Sequence, residues 1–154
     1  MVEGIVMKTK FNFDSQICTT REQSEHLLAL GLKKETADMF YAAIHKNTKI
    51  VGYRISSSYN DEQFEIFTDD IPAWSLHRLL YIIPKYIQVP DNVWKYKHDL
   101  YLSIDEELHV RYYEEEVDEP CFDKSFLKDN LYQNCIDAIE WLIKEGYFNK
   151  EYLV

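Results

Sequence analysis

Along NLYQNCIDAIEWLIKEGYF, apolar side chains recur at Leu131, Cys135, Ala138, Ile139, Leu142 and Ile143. Steps of three and four between them draw one stripe down an α-helix, and Gly146 just beyond suits a left-handed C-terminal cap. Trp141 lies off that stripe, on the flank with Asn134 and Glu145. A second helix is predicted over about Thr20–Leu30, in CTTREQSEHLLALGLKK. Thr19 with Glu22, or Thr20 with Gln23, forms a capping box at its start, and Gly31 ends it. In DIPAWSLHRLLYIIPK, Leu76, Leu79, Leu80 and Ile83 share one face of a short helix. Ser75 is its N-cap, Pro84 stops it and Pro72 suits the approach. Trp74 is expected to fold back on the first turn as core, at least half buried, rather than to stand free as a binding element.

Elsewhere the period changes to two. MFYAAIHKNTKIVGYRIS reads as a hairpin about His45–Lys49, EQFEIF at Glu62–Phe67 as a third strand and YIQV as a fourth. DLYLSIDEELHVRYYEEE is the clearest hairpin, with Leu100, Leu102 and Ile104 alternating on one arm and Leu108, Val110 and Tyr112 on the other. A one-residue slip would send every side chain to the opposite face, so parity selects the loop. A loop of Asp105–Glu107 pairs Ile104 with Leu108, Leu102 with Val110 and Leu100 with Tyr112, all toward the core. Leu100, Leu102, Leu108 and Val110 are then predicted to be buried together. Tyr101 opposite Arg111, and Ser103 opposite His109, point the other way.

These elements predict a single α+β domain, an antiparallel sheet of about five strands with about three helices on one face or at its edges. The domain runs over 19–154, with 1–18 as an N-terminal extension. Met7, followed by Lys8, offers a second start, which would leave Met1–Val6 outside the protein. The 154 residues include four Gly and four Pro, too few for a flexible linker between domains. No run approaches the ~20 apolar residues of a membrane span, and the first residues lack an apolar secretory segment. The formal net charge is −10, which repels phosphate backbones and anionic lipid, so direct contact with nucleic acid or membrane is not expected.

The helices and the turn between them carry recognisable motifs. TREQSEHLLALGLKKETADM, PAWSLHRLLYIIP and CIDAIEWLIKEGY, in that order, resemble small proteins of unknown function from gut bacteria and their phages and mobile elements. The resemblance covers the chain from about Thr19 onward. It implies an accessory protein of phage or mobile-element origin working in the cytoplasm, and it transfers no catalytic residue.

The chemistry-bearing residues are scattered. His26, His45, His77, His98 and His109 form no H-x₃-H or HExxH pair, and Cys18, Cys121 and Cys135 form neither a disulfide framework nor a zinc spacing. Glycine-rich phosphate loops and a GxSxG elbow are absent, so no cofactor, metal or catalytic residue is assigned. Cys135 sits in an apolar stripe as a buried thiol, and Cys121 is flanked by acids. Cys18 precedes a helix N-terminus, the position most favourable to a thiolate.

Nine acids lie between Asp105 and Asp123, against Arg111 alone. They form either a solvated rim or an anionic patch. Tyrosine is abundant, with 12 residues, and tyrosine is enriched at protein contact hot spots. The expected function is therefore a non-enzymatic interaction module whose contact residues are Tyr101, Arg111, Tyr113, Glu114, Glu115 and Glu116. A basic protein or a second copy is the expected partner. The alternatives are a small enzyme or ligand binder with a pocket between sheet and helices, and a nucleic-acid mimic that inhibits host defence.

Overall fold

The computed structural model describes residues 16–41, 51–53, 71–91, 96–115 and 123–154. Helix α1 spans Arg21–Ala29, and its N-cap Thr20 forms the capping box with Gln23. Gly31 follows at φ 95°, the left-handed conformation that glycine adopts without steric cost. After one 3₁₀ turn at Lys34–Thr36, strand β1 (Met39–Tyr41) lies between β2 (Val51–Tyr53) and β3 (Ile71–Ala73), antiparallel to both. The arms of the first predicted hairpin thus pair, Met39 with Tyr53 and Tyr41 with Val51. Its turn and the predicted strand Glu62–Phe67 lie outside the described residues.

Helix α2 (Leu76–Ile82) begins at Ser75, whose hydroxyl accepts from the Arg78 amide at 3.2 Å. Beyond Pro84 the chain runs as a meander of β4 (Tyr86–Pro90), β5 (Lys97–Ile104), β6 (Val110–Glu114) and β7 (Asp123–Phe126). Helix α3 (Leu131–Glu145) then closes over it and ends at Gly146, φ 79°.

The molecule is α+β, but its described strands make two antiparallel sheets, of three and four strands, rather than one sheet of about five. Pro72 sits in β3, an edge strand where a missing N–H is tolerated, and β3 turns back onto β1. Capped α2 intervenes before the meander starts, and among the described residues the two sets of strands stay separate.

The main core lies between the meander and α3. Leu100, Val110 and Tyr112 are fully buried against Cys135, Ile136, Ala138, Ile139 and Leu142. Trp141 is half-buried at the margin of this layer, 5.9 Å from Tyr112 and 6.2 Å from Phe126, ring to ring. A smaller cluster holds Cys18, Met39 and Ala73 beneath the three-stranded sheet.

The first two sequence motifs meet at Trp74, which is 0% exposed. Its backbone N–H donates to Thr19 Oγ1 at 3.0 Å, and that hydroxyl lies 2.8 Å from Ser24 Oγ of α1. Its indole N–H donates to Thr36 Oγ1 at 3.0 Å. The next residue, Ser75, donates its amide to Asp38 Oδ1 at 2.9 Å and its hydroxyl to Asp38 Oδ2. Buried polar groups need such partners, so these motif residues join α1, the 3₁₀ turn and α2 around one indole.

The hairpin keeps the predicted parity but not the predicted register. Ile104 pairs with Val110, Leu102 with Tyr112, Tyr101 with Tyr113 and Ser103 with Arg111, two residues away from the expectation. The loop is Asp105–His109, and Leu108 is 54% exposed instead of buried. Two polar hubs hold this loop open. Asp105 Oδ1 accepts from the amides of Glu107 and His109 at 3.0 and 2.9 Å, and Oδ2 from His109 Nδ1 and Arg111 Nε, both at 3.0 Å. Fully buried Asn134 donates to the Leu108 carbonyl at 3.1 Å, and Leu108 itself adopts φ 63°. Satisfying Asn134 and Asp105 turns Leu108 outward.

Candidate protein-contact surface

Side chains alternate along each strand, so the residues that fill the core fix what the meander shows to solvent. In β4, Ile87 and Val89 are buried while Tyr86 and Gln88 are exposed. In β5, His98 and Leu100 are buried while Asp99 and Tyr101 are exposed. Register then lines up one residue per strand: Tyr86 beside Tyr101, Tyr101 beside Tyr113, and Tyr113 beside Asp123. Three tyrosines form a row across neighbouring strands. Tyr86 and Tyr101 are 43% and 38% exposed, their ring centroids 5.3 Å apart.

Carboxylates fix the two outer rings. The Tyr86 hydroxyl donates to Asp99 Oδ1 at 2.5 Å, where Gln88 Nε2 also donates at 2.9 Å. The Tyr113 hydroxyl donates to Glu115 Oε1 at 3.0 Å. These bonds hold Asp99 below the usual carboxylate range and raise both phenols, because each favours an ionised acid beside a neutral phenol. The face is thus both aromatic and anionic.

Of the six expected contact residues, Tyr101, Tyr113 and Glu115 lie together on this face. Arg111 is on it too, farther along β6 beside Ser103, with Nη2 3.0 Å from Asp105 Oδ2. Glu116 lies outside the described residues. Glu114 is a correction. Its side chain is only 9% exposed and turns to the core side, where it meets His98 Nδ1. The parity that buries Val110 and Tyr112 carries Glu114 inward as the next alternate position, so Glu114 and Glu115 do not share one surface. Tyr86 and Asp99 are additions, legible once YIQV is placed beside Leu100 and its inward residues are known.

The thiols are set by burial. Cys18 is 3% exposed, with Sγ donating to the Tyr41 hydroxyl at 3.5 Å. Burial pushes its pKa up, so the helix N-terminus that favoured a thiolate is overridden. Burial likewise pushes Cys135 up to about 12. Cys121 lies outside the described residues. Among the described residues, no group of three or more His, Cys, Asp or Glu is set to hold a metal. A small open cleft of about 150 Å³ lies between α1 and α3, lined by Glu22, Gln23, His26, Gln133 and Ile136. No helix among the described residues is long and apolar enough to cross a membrane.

No protein-family model matches this chain. Among curated proteins and among solved structures, none matches it either.

Proposed function

We propose that this protein is a non-enzymatic interaction module that receives a basic protein on the outer face of its four-stranded sheet. The observation that carries this reading is the row Tyr86, Tyr101 and Tyr113, with Asp99, Glu115 and Asp123 around it. Tyrosine supplies large contact area at a small entropic cost, and two of these rings are already oriented by carboxylates. The surrounding charge selects the partner. A chain of net charge −10 attracts a lysine- or arginine-rich surface and repels a second copy placed face to face. The resemblance to small proteins of gut bacteria and their phages and mobile elements supports an accessory role in the cytoplasm.

The test compares the wild type with a Tyr86→Ala/Tyr101→Ala/Tyr113→Ala variant whose fold is verified by circular dichroism. Both are immobilised and challenged with a bacterial lysate. Proteins of high isoelectric point, retained by the wild type and lost by the variant, support the reading. Equal retention by the two refutes it, as does a retained set that is acidic. With a partner in hand, Glu115→Gln should slow association and flatten its salt dependence, while Tyr101→Ala should mainly speed dissociation.

A further inference from the structure

His98 is the one buried histidine among the described residues, 6% exposed on the core face of β5. Both of its ring nitrogens face carboxylates. Nε2 lies 2.9 Å from Asp91 Oδ2, just beyond the end of β4, and Nδ1 meets Glu114 Oε1 at the end of β6. These carboxylates are themselves only 13% and 9% exposed. The Tyr96 ring packs edge-on at 5.1 Å, and Val89 is the cross-strand neighbour. Lys97 and Asp99, the charged neighbours along β5, are exposed and alternate to the outer face.

Donor arithmetic bears on the protonation state. Ionised carboxylates only accept, and a neutral imidazole carries one N–H. With both carboxylates ionised, two acceptors on two ring nitrogens call for the imidazolium. Loss of one proton would set a nitrogen lone pair against a carboxylate oxygen, two acceptors that repel each other. The three groups come from the ends of three adjacent strands, so their attachment and the closure of that sheet end are one event.

We propose that Asp91, His98 and Glu114 form a proton-dependent clasp that closes the ends of β4, β5 and β6 while the imidazole carries both protons and loosens them when it loses one. Burial alone would lower the imidazole pKa, but the bonds to Glu114 and Asp91 outweigh it and hold the group above its ordinary 6.5. A group raised on folding contributes stability that is full below its unfolded value and is lost as pH rises through the folded one. The clasp is therefore closed in acid and opens on the neutral-to-alkaline side. This holds whatever binds the outer face.

Imidazole ¹⁵N shifts and amide exchange, followed together from about pH 5 to about pH 9, test it. The expected result is a His98 midpoint above its ordinary value. Protection factors, which remove the intrinsic pH dependence of exchange, should fall for Lys97–Leu100 and Tyr112–Glu114 over the same range. The fall should be about tenfold per unit of elevation in the midpoint. His98→Asn should show no such fall. Should that variant fail to fold, Asp91→Asn and Glu114→Gln keep a titrating ring, and each should move its midpoint down. A wild-type midpoint at or below the ordinary value overturns the clasp. So does titration with unchanged protection, an equal fall in His98→Asn, or midpoints unmoved by removing either carboxylate.

Discussion

Replacing Trp74 with alanine tests whether α1, the 3₁₀ turn and α2 are joined through one buried indole. The side chain is 0% exposed, and a buried indole removes about 200 Å² from water, worth about 5 kcal/mol at about 25 cal/mol per Å². Alanine retains a little of that area, while the cavity and the lost indole N–H bond to Thr36 act in the other direction. Measured truncations of this kind cost about 3–5 kcal/mol, so about 4 kcal/mol is expected here. For a domain of this length that lowers Tm by about 8–16 °C. The assay is urea unfolding followed by far-UV circular dichroism, with the midpoint moving and the slope unchanged. Trp74→Phe keeps most of the apolar volume and should cost about 1–2 kcal/mol. A loss below about 1 kcal/mol for the alanine variant would refute the reasoning. The tryptophan would then be a presented side chain and not the centre of the network.

Leu108→Gly should raise stability by up to about 1 kcal/mol in the same urea assay, since an exposed leucine at φ 63° is relieved of strain. A loss of ~2 kcal/mol or more would instead mark a core leucine. Glu114→Gln should destabilise by about 1.5–3 kcal/mol by weakening a charge-assisted bond to His98, whereas Glu115→Gln should stay within about 0.5 kcal/mol. Equal effects from the two would show that they share one environment. Iodoacetamide near pH 8 should leave Cys18 and Cys135 unmodified in the native protein and alkylate both in denaturant, as read by peptide mass mapping, because both thiols are buried and their pKa values raised. Rapid native labelling of Cys135 would contradict its place under the sheet.

Local chemistry carried most of the helices. The Thr20–Gln23 box, the Ser75 cap, the stripe from Leu131 to Ile143 and Gly146 are each decided within a few residues, and each appears where its pattern lies. Parity along β5 and β6 was legible for the same reason. Register was not, because it depends on groups remote from the loop or hidden in side-chain geometry. Asn134 lies 26 residues past Leu108, the residue whose carbonyl it captures, and Asp105 recruits four donors that composition does not reveal. A leucine in the left-handed region carries no signal of its own. Part of the contact face was visible, in Tyr101, Tyr113 and Glu115. Glu114 was obscured by its acidic neighbours, although strand alternation already pointed it inward. Cys18 shows a local rule losing to a tertiary one, since the strand beneath it was not tied to its position by any sequence pattern.

The place of α3 after the meander bears on aggregation during synthesis. Helix α1 reaches α3 through Gln23 to Gln133 at 3.2 Å and His26 to Glu140 at 3.0 Å, pairs 110 and 114 residues apart. The meander is finished earlier, yet α3 supplies Cys135, Ile136, Ala138, Ile139 and Leu142 to the cluster that buries Leu100, Val110 and Tyr112. A ribosome therefore delivers a four-stranded sheet whose apolar face is only partly covered before it delivers α3. Contacts of such long range form slowly, and an exposed sheet face is where nascent chains associate. Emergence of α3 then completes this core, and a pause in translation just before Asn130 lengthens the interval in which the sheet face is open to association.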